Sequence, residues 1–314
     1  MSYYFSRYST FYKNAVELND LAAGKHSWDI LLSAYNQTER VERVFNACVA
    51  KQRIWLICPE YMFTDAELPK GDIFVSKAAR EDEYVLELVK SVDLVGKSIA
   101  LDITGFMRPT LMFLIAWLKR SGVVSVDCLY SEPVMYSKGA DTMFSNETIT
   151  EVRQVAGFEG SHIPDSDDDL MIIGCGYDNK MLEYSLNHKA RARKIQLFPF
   201  PSLRPQMYQE NRYRTALSAD AIGAKIDGIY FAPAHDPFIN AEVLGEIVEE
   251  RCKPATNLYL CPLATKPQIL GFVLYYLSEL VGTPASIVFP FYQAYSKKTS
   301  DGVSKIWVYQ VELT

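Results

Sequence analysis

Short apolar runs rich in Ile, Val, Leu and Tyr alternate along this chain with stretches in which apolar residues recur at helical spacing. Such alternation is typical of βαβ units and predicts an α/β fold with a mainly parallel sheet and helices on both faces. The runs predicted to be strands are 29–34, 54–58, 72–76, 99–103, 124–130, 170–175, 194–199, 228–233, 257–262, 285–290 and 305–313.

The same order of segments occurs twice. "DILLSAYNQTERVERVFNACVAKQRIWLICPEYMF" parallels "LMIIGCGYDNKMLEYSLNHKARARKIQLFPFPSLRP", with Tyr35 aligned with Tyr177. Farther on, "SIALDITGFMRPTLMFLIAWL" parallels "NLYLCPLATKPQILGFVLYYL", which aligns Arg108 with Lys266, each followed by proline. Because several segments recur in one order, the sequence predicts a tandem duplication of a Rossmann-like unit.

The repeat predicts the domain organisation. Residues 28–156 form the first repeat and residues 170–314 the second, joined by a polar linker at 157–169 that contains Gly, Pro and an acidic run. Residues 1–27 have no counterpart in the second repeat. This extension is expected either to pack as a helix against the repeats or to contact a protein partner.

Composition narrows the class of protein. Hydrophobic residues make up 49% and charged residues 22% of the 314 positions, which is typical of a chain that folds into a globular protein. The formal net charge of -6 provides no overall basic field for duplex nucleic acid or an anionic membrane.

The cysteines and the N-terminus predict a compartment. The six cysteines are scattered without a C-x-x-C pair and are expected to be buried free thiols. The opening "MSYYFSRYSTFYKN" lacks the apolar core of a secretory signal, and no apolar run is convincing as a membrane span. We therefore expect a cytoplasmic protein without a membrane partner.

The loops that follow strands hold much of the polar chemistry, and in open parallel sheets ligands bind at that edge. Proline is favoured at helix starts, so "RP" and "KP" predict two helices that begin directly after strands. Their first N–H groups attract anions, and Arg108 and Lys266 add a cation where the helix dipole disfavours one. The two cations are therefore predicted to bind a phosphate or carboxylate, although they are also compatible with ordinary solvated side chains. Residues expected to contribute to the two anion sites are Thr104, Arg108, Thr265, Lys266 and Gln268.

A second pair of loops follows the first strand of each repeat. Tyr35 with Asn36, and Tyr177 with Asp178, occupy the turn that usually contacts a nucleotide. The tyrosines are expected either to stack on a ring of the ligand or to close the end of the core. No G-x-G-x-x-G or G-x-x-x-x-G-K-[ST] motif occurs, so a standard dinucleotide or P-loop site is not predicted and no cofactor is identified.

Candidate acid and base residues lie at the same predicted edges. His235 and Asp236 are adjacent in "AHDPF", where they fit either an acid/base pair or a local turn contact. Asp102 and Glu60 are the corresponding candidates in the first repeat, where Asp102 also fits a loop cap. The histidines are too dispersed for a metal-ligand pattern, and no G-x-S-x-G nucleophile motif occurs.

The segment "DITG", followed by a cation and a helix, resembles the ligand-binding motif of CARF domains, the CRISPR-associated Rossmann-fold sensors. "PLATKPQ" is similar to a more degenerate version of that motif. Paired domains of that family bind cyclic oligonucleotides, and Phe106 stands here where the family has a second glycine. The residues that the resemblance assigns to the ligand are Thr104, Gly105, Arg108, Thr265 and Lys266.

These features support more than one function. The first is binding of a phosphorylated, nucleotide-like ligand between two Rossmann-like halves, as a sensor or as a subunit of a larger assembly. The second is an enzyme that hydrolyses or transfers a nucleotide or sugar-phosphate group, with Asp102, Glu60 or His235 and Asp236 as acid and base. The third is an interaction scaffold without a ligand.

Overall fold

The computed structural model describes residues 5, 8–136, 149–164, 168–176, 178–221, 225–253 and 256–313. The chain forms two compact units. We call Ser9–Asn146 with Ala294–Thr314 the first unit, and Met1–Tyr8 with Glu147–Gln293 the second unit. Both have mixed α/β structure, and their two large sheets are mostly parallel.

The first unit contains a seven-stranded sheet. Its strands are β1 (Lys13–Val16), β2 (Ser27–Ala34), β3 (Val49–Ile57), β4 (Asp72–Val75), β5 (Ile99–Asp102), β6 (Ser125–Glu132) and, at the far end of the chain, β15 (Lys305–Glu312). Its helices are α1 (Leu18–Ala22), α2 (Glu39–Ala47), α3 (Glu81–Ser91) and α4 (Arg108–Arg120). Two short 3-10 turns, Pro59–Tyr61 and Asp65–Glu67, connect β3 to β4.

The strands of the first sheet lie in the order β1-β15-β6-β5-β2-β3-β4. The five strands from β6 to β4 are parallel to one another. Counted along the chain from β2, their order is 3-2-1-4-5. The order therefore reverses between β2 and β5, and we call the carboxyl end of this pair the switch point of the first sheet.

The second unit contains a six-stranded sheet. Its strands are β8 (Ile149–Gln154), β9 (Leu170–Gly174), β10 (Arg193–Pro199), β11 (Ile226–Ala232), β12 (Leu258–Pro262) and β13 (Ala285–Tyr292). Its helices are α5 (Asn179–His188), α6 (Pro205–Ala221), α7 (Pro237–Arg251) and α8 (Lys266–Tyr275), the last continued by a π-helical turn at Tyr276–Leu280.

The second sheet repeats the strand order of the first. Its strands lie in the order β11-β10-β9-β12-β13-β8, and those from β11 to β13 are parallel. Counted from β9, this is again 3-2-1-4-5, with a switch point between β9 and β12. The eleven strands expected from the apolar runs are all present, with bounds that differ by a few residues.

The last strand belongs to a different sheet from the one expected. The sequence placed 305–313 in the second repeat, whereas β15 is hydrogen-bonded between β1 and β6 of the first sheet. All eight residues of β15 pair antiparallel with β6, and Val308 and Tyr309 are buried. Conversely β8, which lies within the first repeat of the sequence at 28–156, pairs antiparallel with β13 in the second sheet. Apolar alternation identifies a strand but not its partner, because partner choice depends on contacts distant in sequence.

The N-terminal extension is divided between the two units. Tyr8 belongs to the second unit, where its ring lies 5.6 Å from that of Phe238. The strand β1 and the helix α1 belong to the first unit, where Val16 and Leu21 are buried.

Three expectations from the sequence concern the cysteines, membrane spans and the starts of two helices. All six cysteines are free, and five of them are buried; Cys252 is partly exposed. Among the described residues, none of the helices combines the length and the apolarity that a membrane crossing requires. The helices α4 and α8 begin at Arg108 and Lys266, one residue before the prolines expected to mark their first positions.

Candidate functional site

The switch point of the first sheet brings polar residues together. Ser33 and Asp102 are register partners near the carboxyl ends of β2 and β5. The chain leaves β2 toward α2 and leaves β5 toward α4, so two helix starts flank this point. In open parallel sheets the crevice between such diverging connections is the usual ligand site.

Asp102 lies at the centre of this cluster and is fully buried. Its carboxylate accepts hydrogen bonds from Ser33 Oγ at 2.9 Å and from the backbone N–H of Thr104 at 3.2 Å. Burial raises the pKa of the Asp102 carboxyl, while bonds from Thr104 and Ser33 and the nearby charge of Arg40 act in the opposite direction. The ionised form of Asp102 is therefore stabilised by neutral hydrogen-bond donors and by the charge of Arg40.

Arg40 joins the cluster from the first turn of α2. Its side chain is 6% exposed, and Nη1 donates to the carbonyl oxygen of Ser131 at the end of β6. Ser131 N–H in turn donates to Thr104 Oγ1 at 3.1 Å. Arg40 Nε is buried and has no hydrogen-bond acceptor among the described residues. A buried guanidinium N–H without an acceptor is costly, so this atom marks a place where an additional acceptor would stabilise the site.

The loop between β5 and α4 is held close to the loop after β2. A Cβ atom at Gly105 would lie 2.0 Å from the carbonyl oxygen of Ala34, so only glycine fits there. Tyr61 Oη donates to the Gly105 carbonyl oxygen at 2.8 Å, and Asn36 Nδ2 lies 3.4 Å from Tyr61 Oη. Asn36 Oδ1 also accepts a hydrogen bond from Thr38 N–H at 3.2 Å. Gly105 and Asn36 thus position the two loops against each other.

Arg108 is the first residue of α4 and is 7% exposed. Met107, at the N-cap, makes no side-chain hydrogen bond to the helix end. A buried cation therefore stands beside the positive end of the helix dipole, an arrangement that favours a bound anion.

Glu60 lies at the same edge, in the 3-10 turn after β3. Its Oε2 atom is shielded from solvent and has no hydrogen-bond partner among the described residues. Burial, with a smaller contribution from the nearby charge of Glu81, raises the pKa of the Glu60 carboxyl to about 7. A carboxyl with this pKa is suited to proton transfer at neutral pH.

Tyr35 is packed into an aromatic cluster. Its ring lies 5.3 Å from Trp55, edge to face, and 5.1 Å from Phe63. Its hydroxyl donates to Glu42 Oε1 at 3.4 Å, and burial raises the pKa of the Tyr35 phenol. Of the two roles expected for Tyr35, these contacts match the one in which the ring closes the end of the core.

The switch point of the second sheet is built differently. Here a Cβ atom at Gly176 would lie 2.1 Å from the carbonyl oxygen of Leu263, so the loops again meet at a glycine. The buried side chains nearby include the thiols of Cys175 and Cys261 and the amide of Asn211, whose Nδ2 donates to the Cys175 carbonyl oxygen at 2.9 Å. Among the described residues of this switch point, no buried arginine or carboxylate corresponds to Arg40 or Asp102.

Thr265 and Gln268, which were predicted to bind an anion at the start of α8, make hydrogen bonds within the protein. Thr265 Oγ1 accepts from Gln268 N–H at 3.4 Å and donates to the Ala234 carbonyl oxygen at 2.5 Å. Gln268 is fully buried, and its Nε2 donates to Asn240 Oδ1 at 2.9 Å between α7 and α8. Lys266 is partly exposed at the first position of α8. Thr265 therefore caps the helix that the sequence analysis assigned to an anion.

The remaining predicted residues of the second unit include two helix caps. Asp236 is buried, and its carboxylate accepts from the N–H groups of Phe238 at 3.0 Å and Ile239 at 3.1 Å. Asp178 likewise accepts from Met181 N–H at 3.2 Å at the start of α5. His235 is partly exposed before α7, and Tyr177 lies outside the described residues. The contacts of Asp236 match the alternative of a local turn contact.

Sequence reasoning assigned no ligand or catalytic role to four residues of the first site: Ser33, Arg40, Tyr61 and Ser131. Ser33 and Ser131 interrupt apolar strands near their carboxyl ends, in "LLSA" and "LYSE", which is the available signal. Tyr61 has no such signal, because its contact with Gly105 spans 44 positions of the chain.

Comparison with protein-family models, with curated proteins and with solved structures gives no match to this chain. Among the described residues, no group of three or more His, Cys, Asp or Glu side chains is placed to hold a metal ion.

Proposed function

We propose that the first unit binds a phosphorylated, nucleotide-like small ligand at its switch point. The observation that carries this proposal is the buried Arg40, whose Nε faces no acceptor although its Nη1 is bound to Ser131. Arg108 supplies a second buried guanidinium, also from the first turn of a helix. Guanidinium groups match phosphate oxygens in geometry, and helix starts add oriented N–H groups.

The fold gives this proposal further support. We infer that the two units are copies of one Rossmann-like unit, because both sheets have the order 3-2-1-4-5 and both join their switch-point loops at a glycine. Among the described residues, buried charged side chains at a switch point occur in the first unit alone, so the ligand is assigned to the first unit. The resemblance of "DITG" and Arg108 to CARF domains agrees with this ligand class.

Removing either arginine tests the proposal. Arg40→Gln and Arg108→Gln are expected to weaken binding of a nucleoside diphosphate or a cyclic oligonucleotide about ten- to hundredfold, since a charged hydrogen bond is worth about 1.5–3 kcal/mol. Calorimetric titration measures the affinity, and thermal unfolding verifies that each variant folds.

Arg43→Gln is the matched control, because Arg43 lies on the same helix and is exposed in an i,i+4 pair with Glu39. Lys266→Gln tests whether the cation at the corresponding helix start of the second unit contributes to binding. Equal affinities for wild type, Arg40→Gln and Arg108→Gln, or the absence of binding to wild type across the panel, would contradict the proposal.

An enzymatic role is the second candidate, and Glu60 is the observation that favours it. Its raised pKa places a proton donor or acceptor at the edge that holds Arg40 and Asp102. Turnover of a bound nucleotide that is lost in Glu60→Gln, with affinity retained, would identify the protein as a hydrolase or transferase. Binding without turnover supports the sensor or subunit role.

A further inference from the structure

The segment 294–301, which we call the strap, crosses the loops at the carboxyl edge of the first sheet. Its backbone bonds to the loop after β2, where Gln37 N–H donates to the Lys297 carbonyl oxygen at 3.1 Å. Tyr295 N–H donates to the Glu60 carbonyl oxygen at 2.8 Å, which ties the strap to the turn after β3. Its last residues form β14 (Ser300–Asp301), which pairs antiparallel with β7 (Met135–Tyr136) beyond β6. One segment therefore bridges three loops of the candidate site.

Lys297 holds the middle of the strap by an ion pair. Its Nζ lies 2.7 Å from Glu67 Oε1 and 2.8 Å from Oε2, and 4.9 Å from the centre of the Phe63 ring. Gln37 Nε2 donates to the same Glu67 carboxylate at 3.3 Å. Lys297 and two bonds from Thr64 lower the pKa of the Glu67 carboxyl to about 2. Both side chains of the pair remain about one-third exposed, at 28% and 31%.

A partly exposed ion pair is easily opened. Such pairs contribute only about 0.2–1 kcal/mol in water, because solvation of the separated charges nearly compensates for their attraction. Backbone bonds to Gln37 and Glu60 hold the rest of the strap. Loop closures of this kind commonly open and close on microsecond to millisecond timescales.

The strap also contributes a buried polar group. Ser300 is fully buried, and its Oγ has no hydrogen-bond partner among the described residues. The strand β14 packs against α2, the helix whose first turn carries Arg40 with its unsatisfied Nε. Two unsatisfied polar atoms therefore occur on neighbouring elements, Ser300 Oγ on the strap and Arg40 Nε on α2.

We propose that the strap is the lid of the ligand site in the first unit and that the pair of Lys297 and Glu67 is its latch. Opening of the latch lets the ligand enter and leave, so that binding and lid movement are coupled. In the closed state Ser300 and Arg40 provide hydrogen bonds to the enclosed ligand. This inference rests on the proposed function, because it assigns a gate to that same site.

The latch is tested first without ligand. Glu67→Gln removes the charge that holds Lys297, and hydrogen exchange of amides in 294–301 is expected to become at least threefold faster. Asp65→Asn is the matched control, because Asp65 is exposed in the same 3-10 turn and is expected to leave exchange unchanged. Lys297→Gln opens the same latch from the strap side and is expected to give the same increase. Unchanged exchange in both latch variants would overturn the inference.

The lid role is tested by the kinetics of binding. With ADP and inorganic pyrophosphate as probes, stopped-flow measurements are expected to show association and dissociation rates at least threefold faster in Glu67→Gln than in wild type or Asp65→Asn. Probes that bind wild type with rates unaffected by Glu67→Gln would overturn the lid and leave the proposed function standing. If neither these probes nor the wider nucleotide panel binds wild type, the proposed function fails and the lid fails with it.

Discussion

At the scale of single residues, Glu60 links the chemistry of the site to the stability of the fold. Its pKa is raised from 4.5 to about 7 because Oε2 is shielded from water and Glu81 lies nearby. A group with a raised pKa in the folded state stabilises that state fully below its unfolded pKa and loses this contribution as pH rises through the folded value. The window for Glu60 is therefore about pH 4.5 to 7.

Glu60→Gln is expected to remove this pH dependence. At pH 4 the variant and wild type should have similar free energies of unfolding, because both side chains are neutral. At pH 8 the variant should be more stable by up to about 3 kcal/mol, the equivalent of the pKa shift. Urea unfolding between pH 4 and pH 8 measures the difference, and the exposed Glu83→Gln serves as control. A difference that does not change with pH would contradict the assignment.

Two arginines of α2 show how much surroundings alter a residue type. Arg40 and Arg43 are three positions apart on α2, yet Arg40 is buried against Ser131 while Arg43 pairs with Glu39 in solvent. The same charge is therefore a candidate ligand contact in one position and a surface group in the other.

At the scale of elements, the end of α5 shows a stabilising contact that joins a helix to a strand. Lys194 lies at the start of β10 and is 2% exposed. Its Nζ donates to the carbonyl oxygens of Lys189 at 2.7 Å, Ala190 at 3.0 Å and Ala192 at 2.5 Å. Carbonyls beyond the last helical turn lack intrahelical donors, and a cation there is favoured by the helix dipole.

Lys194→Met is expected to destabilise the protein by about 2 kcal/mol, because it removes a charged donor from three carbonyl oxygens, of which, among the described residues, only that of Lys189 also accepts from a backbone N–H, that of Ala192 at 3.0 Å. Denaturant unfolding gives the magnitude, and hydrogen exchange in 179–192 is expected to increase. Lys225→Met, an exposed lysine just before β11, is the control. Loss of stability equal to that of the control would show that the ammonium contributes nothing.

The starts of α4 and α8 differ although their sequences are alike. Thr265 caps α8 with its side chain, whereas Met107 at the same position of α4 makes no such bond. This difference lies in the residue before the cation, and it favours an anion at α4 over α8.

At the scale of the whole molecule, the ends of the two repeats are exchanged between the sheets. The strand β15, the last strand of the second repeat, completes the first sheet, and β8, the last strand of the first repeat, completes the second. The C-terminal strand is therefore a structural part of the first unit, between β1 and β6.

Val308→Asp tests this assignment. It places a carboxylate on the buried face of β15, and a cost of at least about 3 kcal/mol is expected because an unpaired charge is buried. Hydrogen exchange is expected to increase first in β6 and β5 of the first sheet. Gln310→Asp, at an exposed position of the same strand, should change stability by less than about 0.5 kcal/mol. If protection from hydrogen exchange were lost in β12 and β13 of the second sheet before it is lost in β6 and β5, the assignment of β15 to the first sheet would be contradicted.

Much of the fold was predictable, because regular elements leave local patterns. The alternation of apolar runs predicted the parallel strands, and the proline after each cation predicted α4 and α8 to within one residue. The strands β1, β7, β8 and β14 were not predicted, because they lack the apolar run that marked the other strands.

The candidate site was predicted in part. Asp102, Thr104, Gly105, Asn36 and Glu60 were identified from their positions after strands, and the structure brings them to one edge of the first sheet. Whether they bind a ligand stays a prediction. Asp236, Asp178 and Thr265 were identified by the same reasoning, but the structure shows them as helix caps. Sequence position does not distinguish a cap from a ligand contact, because both lie where a helix begins.

The sequence by itself determined the α/β class, the strands of both repeats and the edge at which polar residues gather, since each depends on periodicity or on local turn chemistry. Only the tertiary structure decided which sheet receives β15, that Arg40 is buried against Ser131, and that the strap crosses the site. Each of these depends on contacts between residues about 90 to 260 positions apart. Such contacts form because burial and hydrogen-bond satisfaction are optimised over the whole chain, and no local pattern encodes them.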